Sequence, residues 1–272
     1  MNKLPMSTRV QIINLLCEGN SLRATSRITG TSINTVSKLL VEVGKACMTF
    51  HNEKVVNVNA KRVQADEIWS FVYVKEKNAS DEQKEDGAGD VWTWTAIDAD
   101  TKLIISWFVG DRSYQSAFPF MVDLANRVTD RIQITTDAFH AYQKAVYKAF
   151  HGDVDYAKLV KIYGASYDAA GRYSPAVCTG TKTTIENGNP NPDHINTSYV
   201  ERQNLTMRMS MRRFTRLTNA FSKKLENHIC AISLHFVYYN FCRIHKTLRV
   251  TPAMEAGLTQ DVMSIEDVVK LL

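Results

Sequence analysis

The chain has 272 residues, 44% hydrophobic and 22% charged, enough for one large core plus a small module at roughly 100–200 residues per domain. Twelve Gly and six Pro exclude a collagen-like or low-complexity chain, and the longest apolar stretch, residues 228–242, is shorter than the roughly 20 residues of a membrane span. The net charge of +5 is modest, and no basic start leads into an apolar run, so neither a membrane nor a secretory route is expected.

Residues 8–18 carry apolar positions at helical spacing. Gly19-Asn20 interrupts them, and Ser21 can cap a second helix, SLRATSRI. Thr29-Gly30-Thr31 is a turn, and Ser32 can cap a third helix with Ile33, Val36, Leu39, Leu40 and Val43 on one stripe. Three helices with a tight Gly turn between the last two read as a helix-turn-helix, and a small helical bundle is the plainer alternative. The outer side of the third helix offers Asn34, Thr35 and Lys38 to base edges or phosphates. This module is expected over residues 1–50, with a polar linker over 51–62.

A strand-rich block follows at 63–74, 91–98 and 102–109, rich in Trp, Val, Ile, Phe and Tyr. The charged stretch 75–90 reads as a solvated hairpin loop. A helix is expected over 113–128, a strand over 131–136, a helix over 138–150 and a strand over 155–163. Hairpin-linked strands followed by alternating helices and strands imply an α/β fold, a mixed sheet covered by helices. Residues 164–197 have few apolar periods and read as a long loop or insertion. Helices over 198–213 and 220–243 close a core domain spanning 63–250, and a tail over 251–272 ends in a short helix from Ile265.

Charge is unevenly placed along this order. Residues 1–62 hold nine Lys/Arg against three Asp/Glu, residues 63–201 thirteen against twenty, and residues 202–272 eleven against five. Two basic ends that attract a polyanion flank an acidic middle that repels one unless cations intervene. Five cysteines, with no C-x-x-C pair, fit a reducing cytoplasm better than a disulfide framework. Cys230 with His228, or Cys242 with His245, could be drawn as zinc ligands, but helical burial explains both cysteines. The four tryptophans all lie in strands and are expected in the core. No phosphate-cradling glycine motif is present, so no nucleotide-fuelled activity is expected.

Three carboxylates have locations suited to metal-dependent phosphoryl chemistry, which needs acidic groups converging from separate elements. Asp66 lies within the first strand, QADEIWSFV. Asp137 ends the fourth strand, in TTDAFHAY, and could instead cap the next helix. Glu201 is in the first turn of YVERQNLTMR, where Ser198 and Glu201 also form a capping-box pattern. Glu67 rivals Asp66, because strand alternation puts the two on opposite faces and both faces are apolar. His140, one turn beyond Asp137, is a weaker candidate for substrate contact. Asn204 and Arg208 share the face of Glu201, and Arg202, Arg212 and Arg213 extend a strip with ten Lys/Arg and one Glu between 202 and 249.

These motifs, with the ending YYNFCRIHKTLRVTPAMEAGL, resemble DDE-type insertion-sequence transposases, nearest to the group named for insertion sequence number one, over about residues 60–258. The resemblance implies an RNase H-like core in which Asp66, Asp137 and Glu201 are catalytic and bind two Mg²⁺ or Mn²⁺ ions. It implies cleavage and strand transfer at element ends, terminal inverted repeats and target DNA as partners, a homo-oligomer, and a prokaryotic, cytoplasmic setting. The Cys-based zinc motif common near the N-terminus of that group is absent, and the span from Asp137 to Glu201 is long. A metal-dependent nuclease without strand transfer and a catalytically silent DNA-binding protein are the alternatives.

Overall fold

The computed structural model describes residues 4–164, 178–215 and 219–272. Three helices open the chain: α1 (Met6–Cys17), α2 (Leu22–Thr29) and α3 (Ile33–Lys54). Ser21 caps α2 by accepting the Ala24 amide, and Gly30 turns the chain at φ 65°, a left-handed conformation that favours glycine. Ser32 then caps α3.

The sheet begins with β1 (Arg62–Val72), followed by the short helix α4 (Asp81–Glu85), β2 (Gly89–Asp98) and β3 (Ile104–Gly110). The 75–90 stretch expected as a loop thus holds a helical turn, closed by a Ser80–Gln83 capping box. Helix α5 (Tyr114–Arg127), β4 (Gln133–Thr136), α6 (His140–Ala149) and β5 (Asp155–Tyr163) alternate as expected. The expected insertion needs correction, because Cys178–Asn187 is a strand, β6. It escapes periodicity because it is exposed over most of its length and pairs only at the sheet edge. Residues 165–177 of that insertion lie outside the described residues.

Helix α7 (Ser198–Ser210) ends three residues before the expected limit. Helix α8 (Leu225–Val237) starts five residues later than expected and runs into a π-helical turn over Tyr238–Cys242. Two short helices, α9 (Pro252–Glu255) and α10 (Ile265–Lys270), complete the chain. No helix among the described residues is long and apolar enough to cross a membrane.

The strand order is β3-β2-β1-β4-β5-β6. β1 pairs parallel with β4, and β4 with β5, whereas β1–β2, β2–β3 and β5–β6 are antiparallel. A mixed sheet of this order with flanking helices is consistent with an RNase H-like fold. Contacts from β1 separate its two faces. Gln64 and Asp66 reach α7 and its approach, and Ser70 reaches α8, whereas Glu67 reaches Tyr142 of α6.

The N-terminal helices do not enclose a core of their own. Ile12, Val36, Leu40 and Cys47 belong to one continuous hydrophobic cluster with Phe236 and Phe241. The 51–62 segment, expected as a polar linker, is in fact tied to that core. Helix α3 continues to Lys54, and His51, Val55, Val58 and Ala60 are buried. His51 Nε2 lies 3.3 Å from the Ile104 carbonyl oxygen, and the His51 pKa is lowered to about 4, chiefly by burial. Asn240, in the π turn, donates to that same carbonyl and accepts the Ile104 amide. One buried side chain thereby satisfies both backbone groups of Ile104 on the outer strand.

Helices α3 and α8 approach closely at Gly44. A β-carbon there would lie 2.5 Å from the Cys230 carbonyl oxygen and 2.6 Å from its Cα, where backbone cannot yield. Gly44→Ala is expected to destabilise the chain by roughly 1–3 kcal/mol despite the better helix propensity of alanine. Urea unfolding checks this: an unchanged or higher midpoint would show that the two helices can separate freely.

Candidate metal centre

The position of the site follows from strand register. β1 and β4 run parallel with Ala65 opposite Thr136, so the next residues along, Asp66 and Asp137, come side by side at the point where β4 ends. Ligand-capable oxygens of Asp66, Glu67 and Asp137 all lie within 4.8 Å of one another. The sequence treated Glu67 as a rival to Asp66, and the fold brings both to the cluster by different routes.

Glu67 is held on both oxygens. Arg112 Nε donates to Oε1 at 2.8 Å and Tyr142 Oη donates to Oε2 at 2.8 Å, and the carboxylate is almost entirely shielded from solvent. Asp66 accepts a hydrogen bond from Asn204 Nδ2 at 2.8 Å. Asp137 accepts the Phe139 amide at 2.9 Å on Oδ1. It does not cap α6, whose first residue is His140 and whose capping position is Phe139. His140 itself is exposed.

Glu201 stands outside the three-carboxylate group. It is exposed on the first turn of α7, ion-paired with Lys161 of β5 and accepting the Thr197 hydroxyl at 2.7 Å. The expected capping box does not form. Thr197 occupies the cap position, and the Ser198 hydroxyl donates to Asn196 instead. Glu201 still bears on the site electrostatically, since its charge helps raise the Asp66 pKa.

Burial and crowding set the protonation. Asp66 is pushed up to about 7, first by burial and then by the charges of Glu67, Asp137 and Glu201. Burial and Asp137 also raise Glu67, opposed by its bonds to Tyr142 and Arg112. Beside Asp66, the buried Asn204 Oδ1 has no hydrogen-bond partner among the described residues. Hard oxygens, mutual repulsion and an orphaned carbonyl oxygen together fit a divalent cation such as Mg²⁺.

The residues expected to meet DNA divide between surface and interior. Asn34, Thr35 and Lys38 are exposed at the start of α3, with Lys38 3.8 Å from Glu42. Arg202 and Arg212 are exposed and Arg208 is half-buried. Asn204 turns into the carboxylate cluster rather than outward. Arg213 is also drawn inward, because its Nη1 donates to Ser222 Oγ at 2.7 Å. Burial lowers the Arg213 pKa to about 10. Ser222 and Ser70 each lie 3.0 Å from a ring nitrogen of His228, whose pKa burial lowers to about 3. That histidine is tied to two serines, and no group of three potential ligands around Cys230 or Cys242 occurs among the described residues. Asn34 and Arg212, distant in sequence, line one groove of about 1170 Å³ together with Arg23 and Lys223.

Sequence reasoning missed Arg112, Tyr142 and Lys161. Each acts across the sheet, through contacts that no local spacing encodes.

No protein-family model matches the chain, and no curated protein is significantly similar to it. Among solved structures, a piggyBac transposase synaptic complex with hairpin DNA, determined by cryo-EM, matches at a TM-score of 0.43 and 10% identity. The match covers 97% of this chain and 69% of that one.

The electrostatics give a test. An aspartate near 7 in the folded state and near 3.9 when unfolded binds its proton more tightly when folded. The metal-free protein therefore loses stability as pH rises from about 4 to 7, and the penalty is complete above that. Asp66→Asn is expected to raise stability by on the order of 2 kcal/mol at pH 8 in chelator, with no gain near pH 3. Thermal unfolding across pH checks it, and a gain independent of pH would contradict the raised pKa.

Proposed function

We propose that the chain is a DNA transposase of the insertion-sequence kind, which cuts phosphodiesters at element ends and transfers the freed strand to target DNA. The observation that carries this reading is the convergence of Asp66 and Asp137 from neighbouring parallel strands, in the motifs that carry the sequence resemblance. Asp66, Asp137 and Glu201 would hold two Mg²⁺ or Mn²⁺ ions, with Asn204 beside Asp66 as a further oxygen donor. Bound there, the ions supply a lowered pKa for an attacking water or 3′-hydroxyl and a counter-charge for the leaving oxygen. To hold an ion, Glu201 would exchange its ion pair with Lys161 for a metal contact.

The chain's own residues do the positioning. Asn204 orients Asp66, the Phe139 amide orients Asp137, and Tyr142 with Arg112 keeps Glu67 turned aside. Asn34, Thr35 and Lys38 would read the terminal repeats, while Arg202, Arg208 and Arg212 would meet phosphates. Arg213 is better explained as the inward partner of Ser222. Bringing two element ends together calls for a homo-oligomer.

Incubation with the native element ends and Mg²⁺, mapping nicks and covalently joined products, tests the reading. Nicks without joined product would favour a nuclease. Asp137→Asn keeps the acceptor for the Phe139 amide but removes the charge. It is expected to slow cleavage by roughly 10³-fold or more, the scale of several kcal/mol, with end binding within about threefold. Undiminished nicking by this variant would reduce Asp137 to a turn-former.

Binding should divide similarly. Asn34→Ala is expected to flatten discrimination between element ends and random DNA, by about 1–3 kcal/mol for each base edge it no longer reads. Arg212→Ala should lower the salt slope by roughly one unit and leave discrimination intact. Titration of labelled duplexes at several salt concentrations separates the two, and the reverse pattern would contradict the division.

A further inference from the structure

Arg112 is the one cation that pairs with a member of the three-carboxylate cluster among the described ion pairs, and its setting is unusual for a structural salt bridge. A guanidinium that neutralises a carboxylate frequently presents its fork to both oxygens. Here Tyr142 takes one oxygen of Glu67, and Arg112 touches the other through Nε alone. Arginine carries five N–H donors, and among the described residues Nε makes the only hydrogen bond of this side chain. The four donors on the two Nη atoms are therefore left over, on a side chain that is 41% exposed.

The guanidinium is nonetheless held in place. Its carbon lies 4.7 Å from the ring centroid of Trp92 and 4.4 Å from that of Phe139, the stacking arrangement that suits a planar cation. Phe139 is also the residue whose amide fixes Asp137. The same short segment therefore positions a metal-ligand candidate and a wall of the arginine's slot. Lys161, a further cation beside Glu201, is occupied by that carboxylate. A fixed, half-exposed fork beside oxygens suited to metal binding is complementary to one kind of group, an anionic oxygen brought in by the substrate.

We propose that Arg112 binds a non-bridging oxygen of the DNA phosphate presented to the carboxylate site, an inference that rests on the proposed function. Glu67 then acts as the anchor that orients Arg112. This role explains why a carboxylate so close to Asp66 and Asp137 is bonded on both oxygens.

The test uses the full chain and two readouts. Arg112→Met alone leaves buried Glu67 without its cation, so the double variant Arg112→Met with Glu67→Gln is compared with it, removing both charges together. For binding, a labelled duplex oligonucleotide is titrated at several salt concentrations without divalent metal. Both variants are expected to lower the salt slope by about 0.9 and weaken binding by roughly threefold to tenfold at moderate salt. Arg112→Lys should keep the slope, because the charge remains, yet nick supercoiled DNA in Mg²⁺ at least roughly tenfold more slowly, because the planar fork is lost.

A folded double variant with wild-type slope and affinity would overturn the proposal, as would a wild-type chain that binds no DNA. A loss of slope in a chain that never nicks DNA in Mg²⁺ or Mn²⁺ would leave the phosphate contact standing and remove the transposase reading.

Discussion

Mutual repulsion among carboxylates is the constraint around which this fold is arranged. Parallel pairing of β1 with β4 brings Asp66 and Asp137 side by side, and Glu67 adds a third negative group from the opposite face of the same strand. Partial burial leaves these charges poorly screened, and the Asp66 pKa is raised to about 7. Nearby elements each reduce that strain at a different point. Helix α7 supplies the Asn204 amide, α6 supplies the Tyr142 hydroxyl, and the segment before α5 supplies Arg112. What remains uncompensated is concentrated at Asp66, next to the orphaned oxygen of Asn204. Stability is thereby given up at one point of the fold, where strain of this kind is compatible with a divalent ion.

A second set of buried polar contacts keeps the covering helices in register with the sheet. Arg213, Ser222, His228 and Ser70 form a chain from the end of α7, through α8, to β1. Asn240 and His51 converge on Ile104 of β3 from two different helices. Such networks are costly when incomplete and specify one packing when satisfied. The two histidines are held neutral by burial, with pKa values of about 3 and 4, so they act as hydrogen-bonding spacers rather than as cations.

Much of this was legible in the sequence because it depends on local pattern. Apolar periodicity located β1 to β5 and the main helices, and the aspartate within β1 stood out because strands seldom contain one. Features set by partners distant in sequence were not legible. Strand β6 has no buried face to create alternation, and its pairing with β5 is what makes it a strand. Ser198 and Glu201 have the spacing of a capping box, but Lys161 and Thr197 compete successfully for the carboxylate. Arg213 sits in a basic run that reads as surface, yet Ser222 draws it inward. The tryptophans read alike in sequence, but only Trp94 is fully buried, whereas Trp69, Trp92 and Trp107 keep part of their surface exposed.

Helix α3 has a consequence of its own. Its 22 residues span about 33 Å at 1.5 Å per residue. One end carries Asn34, and the other is fastened to β3 through His51. In between, the glycine contact with Cys230 prevents α3 from sliding along α8 without a clash. The helix is therefore a ruler built into the molecule. Its exposed first turn is thereby kept at a fixed offset from the carboxylates of β1 and β4, and a shift at one end of the helix is passed undamped to the other.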